Sequence, residues 1–171
     1  YIVRDPRNII TSVLNYFHKE NYKAALEFMR EDKVIGGAEE DNGLPTILGS
    51  WTNHYNSWKK FKKNYLLVKY EDLLKNPNKE FFKITKYLKQ VGNFNFNEDK
   101  IYSAIENCTF KNLSEQEDTF GFVGNLKSNK KLKQKFFNLG PKNQWQNILT
   151  VEIKSEIETS FRKEMKELGY L

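Results

Sequence analysis

The chain opens on Tyr1-Ile2-Val3-Arg4-Asp5-Pro6-Arg7-Asn8-Ile9-Ile10-Thr11-Ser12, and this stretch constrains its fold more than any other. Apolar residues lead to Arg4. Asp5 then has the chemistry of a helix N-cap, and Pro6 suits the first helical position, where a backbone N–H is not needed. The pattern predicts a buried strand over residues 1–4 running directly into a helix. In open α/β sheets, ligands bind where strands end and helices begin. An arginine at that junction offers a planar fork of donors to an oxyanion, and Ser12 can add a hydroxyl from the helix. The plain alternative is a surface arginine after a strand and a serine on a solvated helix face. Arg7 is the other candidate for an anion, but one turn into a helix such a side chain is expected to point to solvent.

Further along, the apolar spacing Ile9, Ile10, Val13, Leu14, Phe17 predicts that the first helix runs from Pro6 to about His18. A second helix is expected over Tyr22 to Arg30, and residues 31–45, with Gly36-Gly37, Gly43 and Pro45, read as a loop. Residues 46–62 place Leu48, Trp51, Tyr55, Trp58 and Phe61 on one helical stripe, which is a core pattern rather than a binding one. Tyr65 to Tyr70 is a compact apolar run suited to a buried parallel strand. Asp72 is a candidate cap for a short turn. Pro77 then starts a helix carrying Phe81, Phe82, Ile84 and Leu88, and another covers about 97–107. Residues 114–135 read as irregular and polar. A closing helix from Thr150 to Leu168 carries Ile153, Ile157, Phe161 and Met165 and stops at Gly169. Strand–helix–strand–helix order makes the chain α/β, with parallel strands flanked by helices in a single domain over 1–171.

Four segments, in order, carry a resemblance. They are the opening Arg4…Ser12; Gly49-Ser50-Trp51…His54…Trp58 leading to Tyr70-Glu71-Asp72-Leu73…Asn76-Pro77; Cys108-Thr109-Phe110; and Phe136-Phe137-Asn138-Leu139-Gly140…Trp145. Together they resemble the C-terminal part of the sulfotransferase domain that uses 3′-phosphoadenosine 5′-phosphosulfate (PAPS). The resemblance covers nearly the whole chain and implies a P-loop NTPase-like three-layer fold. It implies that Arg4 pairs with the 3′-phosphate of the nucleotide and that Ser12 donates to it. It places Tyr70 near the adenine and ribose, Phe110 against adenine with edge contacts from Cys108 and Thr109, and Phe136 and Gly140 in the phosphate loop.

Two departures stand out. The family's Arg-Lys pair before the loop glycine is Asn138-Leu139 here, so Lys142 or the lysines at 130, 131, 133 and 135 would have to compensate. The family's phosphate-cradling loop, its lysine for the 5′-phosphosulfate and its histidine base are expected upstream of Tyr1. The resemblance therefore assigns no catalytic residue to this chain. His54 and His18 lack a visible acid partner, and Glu71-Asp72 are adjacent residues whose side chains diverge, which suits a capping and surface role. Trp145 is expected to pack its loop on the core.

The implied reaction moves a sulfuryl group from PAPS to a hydroxyl or amine on a small-molecule or glycan acceptor. No metal is implied, and no set of His, Cys and carboxylates has metal-ligand spacing. The net charge of +6 invites a nucleic-acid reading. However, 24 of the 28 basic residues are lysines mixed with 22 acids, which argues against a nucleic-acid partner. The densest run, Lys127 to Lys135, is either a surface segment or a cover over an anion. No apolar run approaches membrane-spanning length. The single cysteine, Cys108, suits a reducing cytoplasmic compartment. Two alternatives remain open: a P-loop nucleotide kinase-like fragment, which would need more lid arginines than the four present, and a non-enzymatic basic binding module.

Overall fold

The computed structural model describes residues 1–35, 45–92, 94–121 and 135–171. In chain order the elements are β1 (Ile2–Val3), α1 (Pro6–Tyr16), α2 (Tyr22–Arg30), β2 (Val34–Ile35), β3 (Thr46–Ile47), α3 (Trp51–Lys59) and β4 (Val68–Lys69). There follow α4 (Tyr70–Lys75), α5 (Pro77–Val91), α6 (Glu98–Asn107), α7 (Phe110–Phe120), α8 (Trp145–Ile148), α9 (Val151–Ser160) and α10 (Arg162–Glu167). The junction at Asp5 forms as the sequence predicts. Its carboxylate accepts the Arg7 N–H at 2.9 Å, and Pro6 opens α1. Asn21, Ser50, Asn97, Thr109 and Thr150 cap α2, α3, α6, α7 and α9 in the same manner, each accepting an N–H from the first turn.

The chain divides into two compact units. Unit 1 comprises Tyr1–Ile2 and Leu66–Asn143. Its strand pair is parallel: Tyr1 donates to the Leu66 carbonyl at 2.8 Å, and the Val68 N–H donates back to the Tyr1 carbonyl at 2.9 Å. Helices α5 and α6 pack through Phe82 and Tyr102, whose rings meet edge to face at 5.4 Å. Among its described apolar residues only Val68 and Ile101 are fully buried.

Unit 2 comprises Val3–Tyr65 and Gln144–Leu171 and has a denser core. Ile10 and Val13 of α1, Leu26 and Met29 of α2, Trp51 and Tyr55 of α3, Ile153 and Ile157 of α9, and Phe161, Met165 and Leu168 are all buried. The stripe predicted on α3 is core only at its start, since Trp58 and Phe61 are exposed.

Several boundaries differ from the sequence expectation, each for a local reason. The helix predicted over 46–62 begins only at Trp51. Gly49 sits at a positive φ of 69°, and Thr46–Ile47 instead pairs antiparallel with Val34–Ile35, within what was expected to be loop. The strand predicted over 65–70 is reduced to Val68–Lys69, and Tyr70 opens α4 rather than ending a strand. Asp72 lies in the first turn of α4, whose N-cap is Lys69 without a side-chain cap bond. The stretch expected to be irregular from 114 is helical to Phe120, because Leu113-Ser114-Glu115-Gln116-Glu117 are adequate helix formers behind the Thr109 cap. The glycines at 36, 37 and 43 and the lysines at 127, 130, 131 and 133 lie outside the described residues. The closing helix is two helices. At the break, the Ser160 hydroxyl donates to the Glu156 carbonyl at 2.6 Å, and Phe161 turns to φ −114°, ψ 20°. Gly169 ends α10 at a φ of 70°, as expected of a terminal glycine. Among the described residues, no helix is long and apolar enough to cross a membrane.

Candidate functional site

In unit 2, the two arginines of the opening segment have different fates. Arg7 does not point to solvent. It is buried at 6% exposure, with its donors consumed inside the protein. Its Nε donates to both Asp5 oxygens at 3.0 and 3.1 Å, one terminal nitrogen donates to Glu158 at 2.6 Å, and the other to Asp5 and the Tyr170 carbonyl at 2.7 and 2.8 Å. The Trp145 ring covers the guanidinium at 4.1 Å. Burial alone would lower the Arg7 pKa, but the hydrogen bonds and charge of Asp5, then of Glu158, more than offset it and raise the value. A guanidinium held in this way is structural. Trp145 thus packs on Arg7, and its N–H donates to Asn8 Oδ1 at 3.0 Å, which fixes its segment against α1.

Arg4 leaves β1 half-buried, immediately before the Asp5 cap. Ser12 is exposed, two turns along α1 and on the same helical face as Asn8. Beside this face, Ile9, Val13 and Phe17 line a cavity of about 230 Å³ closed by Phe28 and Met29 and by Leu48 to Trp51 and His54. The cavity wall is almost wholly apolar. Burial there pushes the His54 pKa below its ordinary value, favouring the neutral imidazole.

In unit 1, two segments named from sequence are brought together. Phe110 opens α7, and its ring lies directly against Gly140; a Cβ at Gly140 would overlap the ring atoms. Gly140 itself adopts a φ of 51°. Phe110 also meets Phe137 edge to face at 6.2 Å, and Phe137 meets Phe136 at 5.1 Å. Thr109 is the α7 cap, with its oxygen accepting the Asn112 N–H at 3.4 Å. Cys108, at the end of α6, exposes its thiol. Phe136 is 42% exposed, and Tyr70 is half-buried at the start of α4.

Asn138 is exposed and Leu139 half-buried, so the two positions that carry cations in the resembling family present none. Of the lysines offered as replacements, Lys142 is exposed and Lys135 is paired with Asp118 at 2.5 Å; those at 130, 131 and 133 lie outside the described residues. Sequence reasoning missed Glu117, whose two oxygens accept the Phe136 and Phe137 N–H groups at 2.6 and 2.9 Å. It also missed Glu158 and Asn8. The helix-forming run around Glu117 was a readable signal; the other two are tertiary partners of Arg7 and Trp145, on which local pattern is silent. Among the described residues, no three His, Cys, Asp or Glu side chains converge to hold a metal ion.

Comparison with known proteins gives a consistent result. The family model for the sulfotransferase domain matches residues 1–169. The chain is 25% identical over 179 residues to rabbit (Oryctolagus cuniculus) amine sulfotransferase, covering 98% of this chain and 54% of the relative. To human (Homo sapiens) sulfotransferase 2A1 it is also 25% identical, over 98% of this chain and 56% of that protein. The chain spans about half the length of the curated relatives it matches. Among solved structures, mouse sulfotransferase SULT7A1 complexed with PAP (3′-phosphoadenosine 5′-phosphate) is similar at a TM-score of 0.63 and 22% identity, covering 96% of this chain and 57% of that one. The likeness shows the fold, a P-loop NTPase-like α/β arrangement.

Proposed function

Because this chain belongs to the sulfotransferase domain family, we propose that its protein transfers a sulfuryl group from PAPS to a hydroxyl or amine, and that these residues supply the 3′-phosphate and adenine side of the donor site. In that reaction the acceptor oxygen or nitrogen forms a bond to sulfur, the bond from sulfur to the bridging oxygen of the 5′-phosphate breaks, PAP leaves, and the acceptor proton passes to a base. Such a transfer needs the two ends held in line and the nucleotide charge matched by cations. The matched segments bear on the nucleotide, and no residue described above is assigned the base.

Arg4 is the proposed partner of the 3′-phosphate, with Ser12 donating beside it. Its support is its place at the strand-to-helix junction, within the segment that the family model matches; Arg7, the alternative in that segment, is held by Asp5, Glu158 and Tyr170. Phe110, Thr109, Cys108 and Tyr70 are proposed for adenine and ribose, and Phe136 and Gly140 for the phosphate loop. The observation that carries this reading is the seating of Gly140 on the Phe110 ring, which joins two donor-side segments 30 positions apart (140 − 110).

The acceptor is proposed to be a small molecule rather than a glycan, since the 230 Å³ cavity is lined by apolar side chains that suit a ring-sized apolar body. A hydroxyl or an amine is compatible with the names of the relatives, which include an amine sulfotransferase and a flavonol 4′-sulfotransferase from Flaveria chlorifolia. A cytoplasmic location belongs to the same reading, supported by the cytosolic sulfotransferases of Arabidopsis thaliana among the relatives.

The test is calorimetric. Arg4→Ala should weaken binding of PAP by roughly 1.5–3 kcal/mol, the worth of a charge-assisted hydrogen bond, while AMP binding changes little. Equal losses for the two nucleotides would count against Arg4 as the 3′-phosphate partner. Sulfuryl transfer from PAPS by the whole protein to a polysaccharide but not to a phenol or a primary amine would refute the small-molecule acceptor.

A further inference from the structure

We propose that Glu117 is a positioning residue for the donor loop Phe136–Gly140, holding it by the backbone rather than by any side chain. The proposal rests on the donor-site reading above. One carboxylate takes two successive backbone N–H groups, those of Phe136 and Phe137, at 2.6 and 2.9 Å. Hydrogen bonds to an ionised acceptor are short and about twice as strong as neutral ones. Two of them on adjacent peptides fix both the position and the rotation of the chain. The Phe136 carbonyl then accepts the Asn138 N–H at 3.0 Å, so the segment turns tightly as it leaves the clamp. It reaches Gly140 in the left-handed region, where the backbone meets the Phe110 ring.

Both anchors belong to α7. Phe110 is its first residue and Glu117 lies two turns on, a spacing of roughly 10 Å along the axis at 1.5 Å per residue. The helix therefore holds Phe136–Phe137 at one point and Gly140 at the other, and Phe137 touches Phe110 between them. This explains how the loop keeps a defined shape although Asn138-Leu139 present no cations. A neighbouring contact, Lys135 to Asp118, joins two side chains that are each about half exposed and is expected to add little.

The experiment uses Glu117→Gln, which keeps the size of the side chain but replaces one acceptor oxygen with an amide donor, alongside Asp118→Asn, which breaks the exposed pair. In the purified protein, Glu117→Gln should speed amide exchange at Phe136 and Phe137 and weaken PAP binding about tenfold, the equivalent of one charge-assisted hydrogen bond. AMP should lose less, and Asp118→Asn should change PAP affinity by less than about twofold. Restoring the carboxylate one methylene shorter, in Glu117→Asp, should recover part of the affinity. Wild-type protein that binds PAP while Glu117→Gln binds it equally well would overturn the positioning role and leave the donor-site reading standing. Equal losses in the 117 and 118 variants would overturn it too, by showing that any tether of the loop suffices. Wild-type protein that fails to bind PAP at all would instead sink the donor-site reading, and the positioning role with it.

Discussion

Arg7 shows how much a single side chain can depart from what its position in a motif suggests. One turn into a helix, a guanidinium is expected in water, yet here it joins Asp5, Glu158 and the Tyr170 carbonyl beneath the Trp145 ring. Arginine suits this role because its planar fork serves several acceptors at fixed angles while its face stacks on an aromatic ring. Asp5 carries two duties, capping α1 and neutralising Arg7. Removing one member of such a set strands the other charge in a dry site. Arg7→Met should therefore lower the unfolding free energy by about 3–5 kcal/mol in urea titrations. A loss of under 1 kcal/mol would mean that Asp5 and Glu158 find water or Lys154 instead. The same substitution distinguishes the two arginines, because the Arg4 effect is expected on nucleotide binding.

At the scale of elements, α7 organises unit 1 more than its sequence suggests. Its residues are mainly polar, and from residue 114 onward the expectation was irregular, polar chain. Its value lies in what its first turn and its third present to Phe136–Gly140. Gly140→Ala tests this directly. A methyl group there would meet the Phe110 ring and would have to adopt a left-handed conformation. The substitution should cost about 1–3 kcal/mol of stability and displace the Phe110–Phe137 contact, as read by denaturant melts and ring chemical shifts. An unchanged melt would show that the loop relaxes away from α7 without penalty. The break between α9 and α10 is a second element-level feature: it comes from one serine hydroxyl bonding back to the Glu156 carbonyl, and the buried Phe161 occupies the turn.

Over the whole molecule, burial is uneven. The fully buried apolar side chains are concentrated in unit 2, on α1, α2, α3, α9 and α10, whereas unit 1 buries Val68 and Ile101 among its described residues. Local stability follows buried contacts. The slowest-exchanging amides should thus be those of Ile10, Leu26 and Ile157, with α6 and α7 exchanging well before them. Uniform protection across the two units would contradict this reading of the core. The sequence by itself determined the local matters: the Asp5–Pro6 helix start, the extent of α2, the starts of the helices near Asn97 and Thr150, the stop at Gly169, and the family through four spaced segments. These are legible because caps, prolines, glycines and helical periodicity act within a turn or two of chain, and because a motif is linear. Only the tertiary structure decided that Arg7 is consumed by Glu158 and Tyr170, 151 and 163 residues away, that Glu117 grips the Phe136 and Phe137 amides, and that Gly140 lies on Phe110. A side chain's partner is chosen by whichever groups packing brings within hydrogen-bond reach, and a local pattern of polar and apolar residues contains no record of that choice.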